Sequence, residues 1–186
     1  MTSKLNLDRA ARTILAGGIV AYPTEAVYGL GCLPELGDAV LRLLAIKQRS
    51  WRKGLLLIGA DLKQLERFVE LPPEPRRSEI LATWPGPTTW VLASRPGVPS
   101  WITGGRDSVA VRLTSHPLAR ALCVRTGQAL VSTSANVSER PPLKDALRLR
   151  RQLGPLLDGV LVGELGGLSK PTTIRDARTG EVLRGG

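Results

Sequence analysis

The pattern of apolar and polar positions predicts an amphipathic helix near the start of the chain, followed by a short strand. Five apolar residues repeat at the spacing of one helix face: Leu7, Ala10, Ala11, Ile14 and Leu15. Gly17 and Gly18 would end this helix, because glycine is favoured just past helix C-termini. The apolar run 19–22 then predicts a buried strand that ends at Pro23, and the glycines of the turn 28–31 let the backbone approach a ligand closely.

The next elements are predicted as a helix, a strand and a second helix. Asp38 is expected to cap the first of these helices, and the apolar run 55–58 predicts the strand. Asp61 and Gln64 resemble a capping box, in which two side chains satisfy the free N–H groups at a helix start. The helix that they begin is expected to extend to Val69 on its apolar face.

Strands and helices continue in the second half of the chain, in an irregular order. The predicted elements are strands at 88–92, 109–113, 129–132 and 159–162, helices at 116–125 and 143–153, and a hairpin around 178–180. This order does not fit a simple dinucleotide-binding fold, and neither G-x-G-x-x-G nor G-x-x-x-x-G-K-[ST] occurs. We therefore expect an α/β fold with a twisted, mostly open sheet of mixed strand direction, flanked by helices.

Length and composition suit one globular domain over residues 1–186. Hydrophobic residues make up 42% of the chain and charged residues 23%, close to ordinary globular usage. No apolar run approaches the roughly 20 residues of a membrane helix, and no secretory leader pattern is present, which predicts no membrane association and a cytoplasmic location. Two distant cysteines and one histidine argue against a disulfide framework or a zinc site.

The net charge is +10, from 26 Lys and Arg against 16 Asp and Glu. Such an excess raises the local concentration of anions, which favours phosphates or RNA as ligands. A basic surface without a binding function is the alternative, and charge alone does not separate the two interpretations.

Cations at the end of the second helix are the first candidates for anion binding. Lys47 and Arg49 combine an ammonium with a planar guanidinium, which suits carboxylate, bicarbonate or phosphate oxygens, and Lys53 adds a third cation. The alternative is that these charges are solvated and only favour the helix dipole.

A polar segment directly after an apolar strand is the second candidate. Its hydroxyls and amide belong to Ser132, Thr133, Ser134 and Asn136, at the strand end where open α/β sheets usually bind ligands. An ordinary turn is the alternative. A nucleophilic Ser134 is disfavoured, because G-x-S-x-G is absent and the one histidine, His116, is expected to begin a helix.

Other polar residues stand near strand ends. Thr24 and Glu25 could bind a zwitterionic molecule or cap the following turn. Arg112 follows an apolar run, so its charge needs an anionic partner. Thr172 follows a glycine-rich loop and could donate to phosphate, or it could belong to an ordinary strand.

Six motifs occur in one order over nearly the whole chain. They are the segment from Gly18 to Gly31, Lys47-x-Arg49, Trp84-Pro85-Gly86-Pro87, Val109-Ala110-Val111-Arg112, Ser134-Ala135-Asn136 and Pro171-Thr172-Thr173-Ile174-Arg175-Asp176. Each motif is weak alone, but the ordered set is specific. Together they resemble the YrdC/TsaC family of threonylcarbamoyl-AMP synthases, in its short single-domain TsaC form.

The resemblance implies a twisted α/β sheet around a large basic cavity. It implies a reaction in which L-threonine, bicarbonate or CO2 and ATP give L-threonylcarbamoyladenylate and diphosphate, with Mg²⁺ carried by the ATP. The product would serve the t6A modification at position 37 of tRNA, after transfer to a separate t6A transferase complex.

The resemblance also implies roles for individual residues. The catalytic set would be Lys47, Arg49, Ser134 and Asn136. The residues near threonine or bicarbonate would be Thr24, Tyr28, Arg112 and Ser132. The nucleotide would contact Lys47, Arg49, Lys53, Ser134, Asn136, Thr172 and Arg184. No residue is expected to serve as a dedicated metal ligand.

Two positions depart from the pattern of the family. Glu139 follows Ser138 where relatives tend to have glycine, so a glycine-dependent turn is expected to differ there. Ile58 stands where longer relatives tend to have histidine, so their threonine contacts in that region are not carried over.

The hypothesis from another functional class is a non-catalytic RNA-binding or ribosome-maturation protein. It would use the cavity and the basic helix 143–153, whose cations are Lys144, Arg148, Arg150 and Arg151. Against it, the chain has no recognisable RNA-binding module, and aromatic residues make up only 4%, few for base stacking. Catalysis and RNA binding could also coexist.

Overall fold

The computed structural model describes residues 3–185 as interleaved helices and strands. The α-helices are α1 (Lys4–Leu15), α2 (Gly37–Lys47), α3 (Leu62–Leu65), α4 (Arg76–Ala82), α5 (Ser100–Thr103), α6 (Pro117–Thr126) and α7 (Ala146–Gln152), with 3₁₀ helices at Trp51–Lys53 and Gly154–Leu156. The strands are β1 (Val20–Pro23), β2 (Tyr28–Gly31), β3 (Leu56–Gly59), β4 (Val69–Glu70), β5 (Thr88–Ser94), β6 (Ser108–Leu113), β7 (Leu130–Val131), β8 (Thr133–Ser134), β9 (Gly159–Val160), β10 (Thr173–Asp176) and β11 (Val182–Arg184).

Four strands form the smaller sheet, in the order β8-β2-β1-β9. β1 and β2 are antiparallel, β9 is parallel to β1, and β8 is antiparallel to β2. The register of β2 and β8 sets Ser134 opposite Gly29. This pairing brings the serine-rich segment beside the glycine turn that the sequence singled out.

The larger sheet has the order β11-β10-β5-β6-β3-β7, and β4 pairs with β5. Its strand directions are mixed: β3 is parallel to β6, whereas β5 is antiparallel to β6 and β7 antiparallel to β3. The predicted α/β class with mixed strand direction is confirmed. The strands divide between two sheets, a division that local hydrophobic patterns do not encode.

Two helices follow the sequence prediction closely. Ser3 caps α1 by accepting a hydrogen bond from the Asn6 N–H at 3.2 Å, and the apolar face of α1 is buried except for Leu15, which is 47% exposed. His116 caps α6, and Gly127 ends it with a φ of +66°. The structural interpretation of His116 is confirmed by this cap.

The predicted caps of the second and third helices differ in part from those in the structure. Asp38 lies in the first turn of α2, whose N-cap position is Leu36. Asp61 does cap α3, but the Gln64 side chain accepts from the Ala60 N–H and donates to the Cys123 carbonyl instead of completing a capping box. α3 has only four residues, and Val69 belongs to β4.

The last third of the chain is less regular than predicted. The basic helix begins at Ala146 rather than Leu143, because Asp145 caps it by accepting from the Arg148 N–H at 2.8 Å. The strand predicted at 159–162 is limited to β9, while the terminal hairpin is confirmed by the pairing of β10 with β11.

The apolar residues of both sheets are buried in two neighbouring clusters. The larger cluster includes Trp90 and Leu57, and the second packs Ile14 and Leu122 of α1 and α6 against Tyr22. No helix among residues 3–185 is long and apolar enough to cross a membrane.

Candidate active site

A cavity of ≈ 650 Å³ is lined by residues of both sheets and of the segments that follow α2 and α5. Five cations contribute to the lining, Arg49, Lys53, Arg106, Arg112 and Arg184. Among the described lining residues the one carboxylate is Asp176. Hydroxyl groups of threonine and serine complete the polar surface, so the cavity suits an anion that also accepts hydrogen bonds.

Eight of the eleven residues that the sequence assigned to substrates line this cavity. They are Thr24, Arg49, Lys53, Arg112, Ser132, Ser134, Thr172 and Arg184. Tyr28, Lys47 and Asn136 are not part of the lining. The Tyr28 side chain is only 2% exposed, and its hydroxyl donates to the Gly163 carbonyl at 2.8 Å, so it contacts the loop after β9.

The end of α2 joins the two signature motifs. Lys47 is 3% exposed, and its ammonium donates to the Ser134 carbonyl, to the Asn136 carbonyl at 2.9 Å and to Asn136 Oδ1 at 3.1 Å. The Lys47 carbonyl in turn accepts from the Ser138 N–H at 2.8 Å. A lysine ammonium has three donors, so Lys47 is fully used in holding the 134–138 loop.

Burial changes the acidity of this lysine. Desolvation and, to a smaller extent, the positive charge of Arg49 together lower the pKa of Lys47 to about 8. The carbonyl oxygens around the ammonium are dipoles and not a countercharge, so they do not cancel this effect. Lys47 therefore loses its charge at a lower pH than an exposed lysine.

The 134–138 loop is further organised by its own side chains. Ser134 Oγ donates to Asn136 Oδ1 at 2.6 Å, and the Asn136 amide nitrogen donates to the Arg140 carbonyl. Ser134 reaches the cavity, while Asn136 links it to Lys47. Glu139 has a φ of +69°, a left-handed conformation that favours glycine. The glycine-type backbone conformation is thus present in this loop although the glycine is not.

Four cavity cations, Arg49, Lys53, Arg106 and Arg184, have no carboxylate partner in the described part of the chain, and we name the three at or beside the 52–54 segment, Arg49, Lys53 and Arg106, the open cations. None of them forms an ion pair with a carboxylate among residues 3–185. Arg49 donates to the Gly54 carbonyl at 3.2 Å, and its buried Nε has no partner within the same described range. Burial lowers the pKa of Arg49, and the charge of Arg106 lowers it further.

Arg112 differs in having a carboxylate partner, although its buried Nε, like that of Arg49, has no hydrogen-bond partner among residues 3–185. It is 4% exposed, and its guanidinium forms an ion pair with Glu25 at 3.0 Å and donates to Thr172 Oγ1 at 2.8 Å. The Thr114 hydroxyl donates to the second Glu25 oxygen at 2.7 Å. The anionic partner that the sequence required for Arg112 is therefore Glu25, a residue of the protein. We name Lys47 and Arg112 the buried cations.

Two hydroxyl groups lie beside the Arg112 region of the cavity lining. Thr24 Oγ1 donates to the Val27 carbonyl at 2.6 Å, which keeps its oxygen lone pairs available to a ligand. Ser132 is 6% exposed and its N–H donates to the Leu56 carbonyl at 2.8 Å. Arg184 donates to the Thr172 carbonyl at 2.9 Å, which ties β11 to the same wall.

Sequence reasoning missed Arg106 and the pairing role of Glu25. The signal for Arg106 was the pair Gly104-Gly105 before it, since both glycines have a positive φ and form a tight turn at the cavity wall. Glu25 was noted only as a turn cap or a ligand contact, because its partner lies 87 residues away.

Comparisons with known proteins give the family. A sequence profile for Sua5, YciO and YrdC proteins, described as telomere recombination, matches residues 12–186. The threonylcarbamoyl-AMP synthase of Halorhodospira halophila is 51% identical over 183 residues, which cover 98% of this chain and 96% of the relative. The threonylcarbamoyl-AMP synthase of Xanthomonas euvesicatoria pv. vesicatoria is 48% identical over 186 residues, 99% of this chain and 100% of the relative.

Solved structures show the same fold. The crystal structure of P. abyssi Sua5 complexed with L-threonine matches with a TM-score of 0.91 and 32% identity over 98% of this chain, which spans 54% of that longer one. E. coli YciO matches with a TM-score of 0.85 and 26% identity, over 98% of this chain and 89% of YciO. The resemblance that the motifs indicated is confirmed: the chain belongs to the Sua5/YciO/YrdC family.

Proposed function

We propose that the chain is a threonylcarbamoyl-AMP synthase, which forms L-threonylcarbamoyladenylate and diphosphate from L-threonine, bicarbonate or CO2 and ATP. The observation that carries this proposal is that relatives 48% and 51% identical over almost their full length bear that name. The cavity supports it, because its open cations and hydroxyl groups suit a substrate with both carboxylate and phosphate groups.

Threonine would bind at the wall formed by Arg112. Thr24 and Ser132 line the cavity there, and both offer hydroxyl oxygens to the ammonium or hydroxyl of an amino acid. Arg112 would orient the threonine carboxylate with the donor capacity that Glu25 and Thr172 leave free. Tyr28 would act indirectly, by holding the loop at Gly163.

Catalysis would rest on position and electrostatics. The neutral threonine amine attacks the carbon of bicarbonate with loss of water, or that of CO2 with loss of a proton, to form a carbamate. A carbamate oxygen then attacks the α-phosphorus of ATP, and the bond from that phosphorus to the bridging oxygen breaks as diphosphate leaves. Both steps gather negative charge, which a preorganised cation such as Arg49 stabilises. Ser134 would contact the reacting groups, while Lys47 and Asn136 would position the loop that carries it.

The nucleotide would extend along the remaining cations and hydroxyls of the lining. Arg49, Lys53, Thr172 and Arg184 are available for phosphate or ribose oxygens. Among residues 3–185 no group of three or more His, Cys, Asp or Glu could hold a metal ion. We assign Mg²⁺ to the ATP phosphates, whose oxygens are the ligands that this ion prefers.

The proposed product defines the cellular context. The threonylcarbamoyl group would be consumed in forming t6A at position 37 of tRNA, by a separate transferase complex. A single domain over 1–186, acting in the cytoplasm, is sufficient for the synthase reaction in this proposal.

The test incubates purified protein with ATP, magnesium, bicarbonate and threonine. We expect diphosphate release, and mass spectrometry should detect threonylcarbamoyladenylate only when all substrates are present. Asn136→Ala should lose most turnover while remaining folded, whereas Arg120→Ala, an exposed arginine outside the cavity lining, should match the wild type. Folded wild-type protein that forms no adenylate would refute the proposal.

RNA binding is a second candidate role, favoured by the cations near α7. Lys144, Arg148, Arg150 and Arg151 are exposed and form no ion pair with a carboxylate of the described chain. Tight binding of tRNA that weakens with salt and with charge reversal on this helix would support the role. Equal RNA affinity of wild type and an Arg148→Glu, Arg151→Glu variant would exclude this surface.

A further inference from the structure

The open cations converge on one turn of the chain. Arg49 donates to the Gly54 carbonyl at 3.2 Å, and Arg106 donates from Nη1 to the Arg52 carbonyl at 3.1 Å. Two guanidinium groups are therefore held against the same 52–54 segment, with backbone carbonyls as their protein acceptors. The two positive charges repel each other, and an anion bound between them would offset that repulsion.

Two glycines create the space in which the Arg106 side chain lies. Gly54 and Gly104 have φ values of +68° and +69°, and a Cβ atom added to either would come within 3.0 Å of an Arg106 terminal nitrogen. At Gly104 the added atom would also lie 2.6 Å from the Arg52 carbonyl oxygen. The absence of a Cβ atom at both glycines therefore lets the Arg106 side chain lie against the 52–54 segment. An arginine that extends into solvent from a loop would not need these two glycines.

We propose that Arg106 and Arg49 together bind the diphosphoryl group of ATP and hold the diphosphate that leaves. This inference rests on the proposed synthase function. In the adenylation step a bond forms between the carbamate oxygen and the α-phosphorus, and the bond from the α-phosphorus to the bridging oxygen breaks. The bridging oxygen departs with the bonding electron pair as part of diphosphate, so negative charge grows where the two guanidinium groups lie.

The distribution of charge in the cavity supports placing the diphosphoryl group at the open cations rather than at the Arg112 wall. Arg112 is neutralised by Glu25, so its wall keeps Arg184 as a cation without a carboxylate partner among residues 3–185, compared with three open cations at the 52–54 segment. The open cations have no such partner among residues 3–185, and the diphosphoryl group carries most of the negative charge of ATP. A planar guanidinium can also donate two parallel hydrogen bonds to phosphate oxygens.

The experiment measures inorganic diphosphate binding by calorimetry and the KM values of the complete reaction. Arg106→Ala should weaken diphosphate binding about tenfold or more and raise the KM for ATP, since a charge-assisted hydrogen bond is lost. The KM for threonine should stay unchanged. Arg106→Lys should bind diphosphate with an affinity between those of the wild type and Arg106→Ala. Lysine retains the positive charge but cannot donate the two parallel hydrogen bonds of a guanidinium group. Arg120→Ala is the matched control and should bind like the wild type.

Diphosphate affinity within twofold of wild type in Arg106→Ala would overturn the inference. An equal rise in the KM values for ATP and threonine would also overturn it, because that pattern indicates a general loss of cavity structure. Failure of the proposed function is a separate result. In that case the wild type would form no adenylate, while the loss of diphosphate binding in Arg106→Ala would still support the anion site.

Discussion

The cavity region contains two kinds of cation, and they differ in what satisfies them. The buried cations, Lys47 and Arg112, are 3% and 4% exposed and bond to groups of the protein itself. Lys47 has three backbone and amide acceptors, and Arg112 has the Glu25 carboxylate. The open cations face the cavity with no carboxylate partner within residues 3–185.

The difference separates cations whose charge is mainly satisfied within the protein from cations whose charge is free for a ligand; Arg112 belongs to the first group although part of its donor capacity is assigned to threonine. A charge removed from water is tolerated only with partners, so the buried cations are coupled to the stability of the fold. An open cation keeps its donors for a ligand and contributes little to stability. Mutations should therefore divide into two classes, which can be measured independently as free energy of unfolding and as turnover.

The largest effect is expected for Glu25→Ala. This change leaves Arg112 buried without a countercharge, and breaking a buried pair in this way costs about 3–5 kcal/mol. Urea denaturation should show the loss in the free energy of unfolding. Glu35→Ala is the control, because Glu35 forms an exposed pair with Arg67 at 2.8 Å, worth about 1 kcal/mol or less. Equal losses in the two variants would remove the distinction between buried and open charge.

Arg49→Ala should have the next largest effect, and on turnover instead of stability. Loss of a preorganised cation from the reaction site should lower kcat/KM about a hundredfold, or about 2.7 kcal/mol. The free energy of unfolding should change by less than about 1 kcal/mol, because the removed charge is repelled by Arg106. The free energy of unfolding in urea and kcat/KM should both be measured for the wild type and Arg49→Ala, with Arg120→Ala as the control. A stability loss as large as the kinetic one would place Arg49 among the structural residues.

The sequence predicted what depends on local periodicity. The apolar face of α1 and the cap of α6 at His116 are local features, and both are present. The close approach of Lys47 to the 134–136 segment followed only from the family resemblance, because nothing in the spacing of two motifs 87 residues apart gives their distance. Ion pairs such as that of Glu25 and Arg112 are set by strand order, which the local pattern does not contain.

The errors have the same origin. Gln64 has the spacing of a capping box partner, but tertiary contacts with Ala60 and Cys123 engage its side chain. Arg106 was overlooked because its importance depends on the positive φ of Gly54 and Gly104, which come together only in the folded chain. Local sequence patterns predict where helices and strands occur. The contacts of Gln64 and the position of Arg106 depend on residues that come together only in the folded chain.

A smaller effect is expected from pH, through the buried Lys47. Its pKa is lowered to about 8 in the folded chain, from an ordinary value of 10.5. Above pH 8 the unfolded chain therefore binds more protons than the folded one, so this lysine adds stability as pH rises. The contribution should grow by about 1 kcal/mol between pH 8 and pH 9.

The measurement compares wild type with Lys47→Met in urea at pH 7, 8 and 9. The difference between the two proteins isolates Lys47 from Cys32 and Cys123, whose raised pKa values act in the opposite direction. A difference that stays constant with pH would mean that the ammonium of Lys47 titrates normally, and that burial does not distinguish it from an open cation.

The smallest effect concerns the loop that Lys47 holds. Glu139 has a φ of +69°, a conformation that costs about 1–2 kcal/mol for a residue with a Cβ atom. Glycine avoids this cost, but it loses more conformational entropy on folding, so the net gain from glycine is smaller. Glu139→Gly should raise the free energy of unfolding by about 0.5 kcal/mol, whereas Glu139→Ala should not, since alanine keeps the Cβ. Equal stabilisation by glycine and alanine would show that the exposed carboxylate is unfavourable at this position, and that the backbone conformation is not.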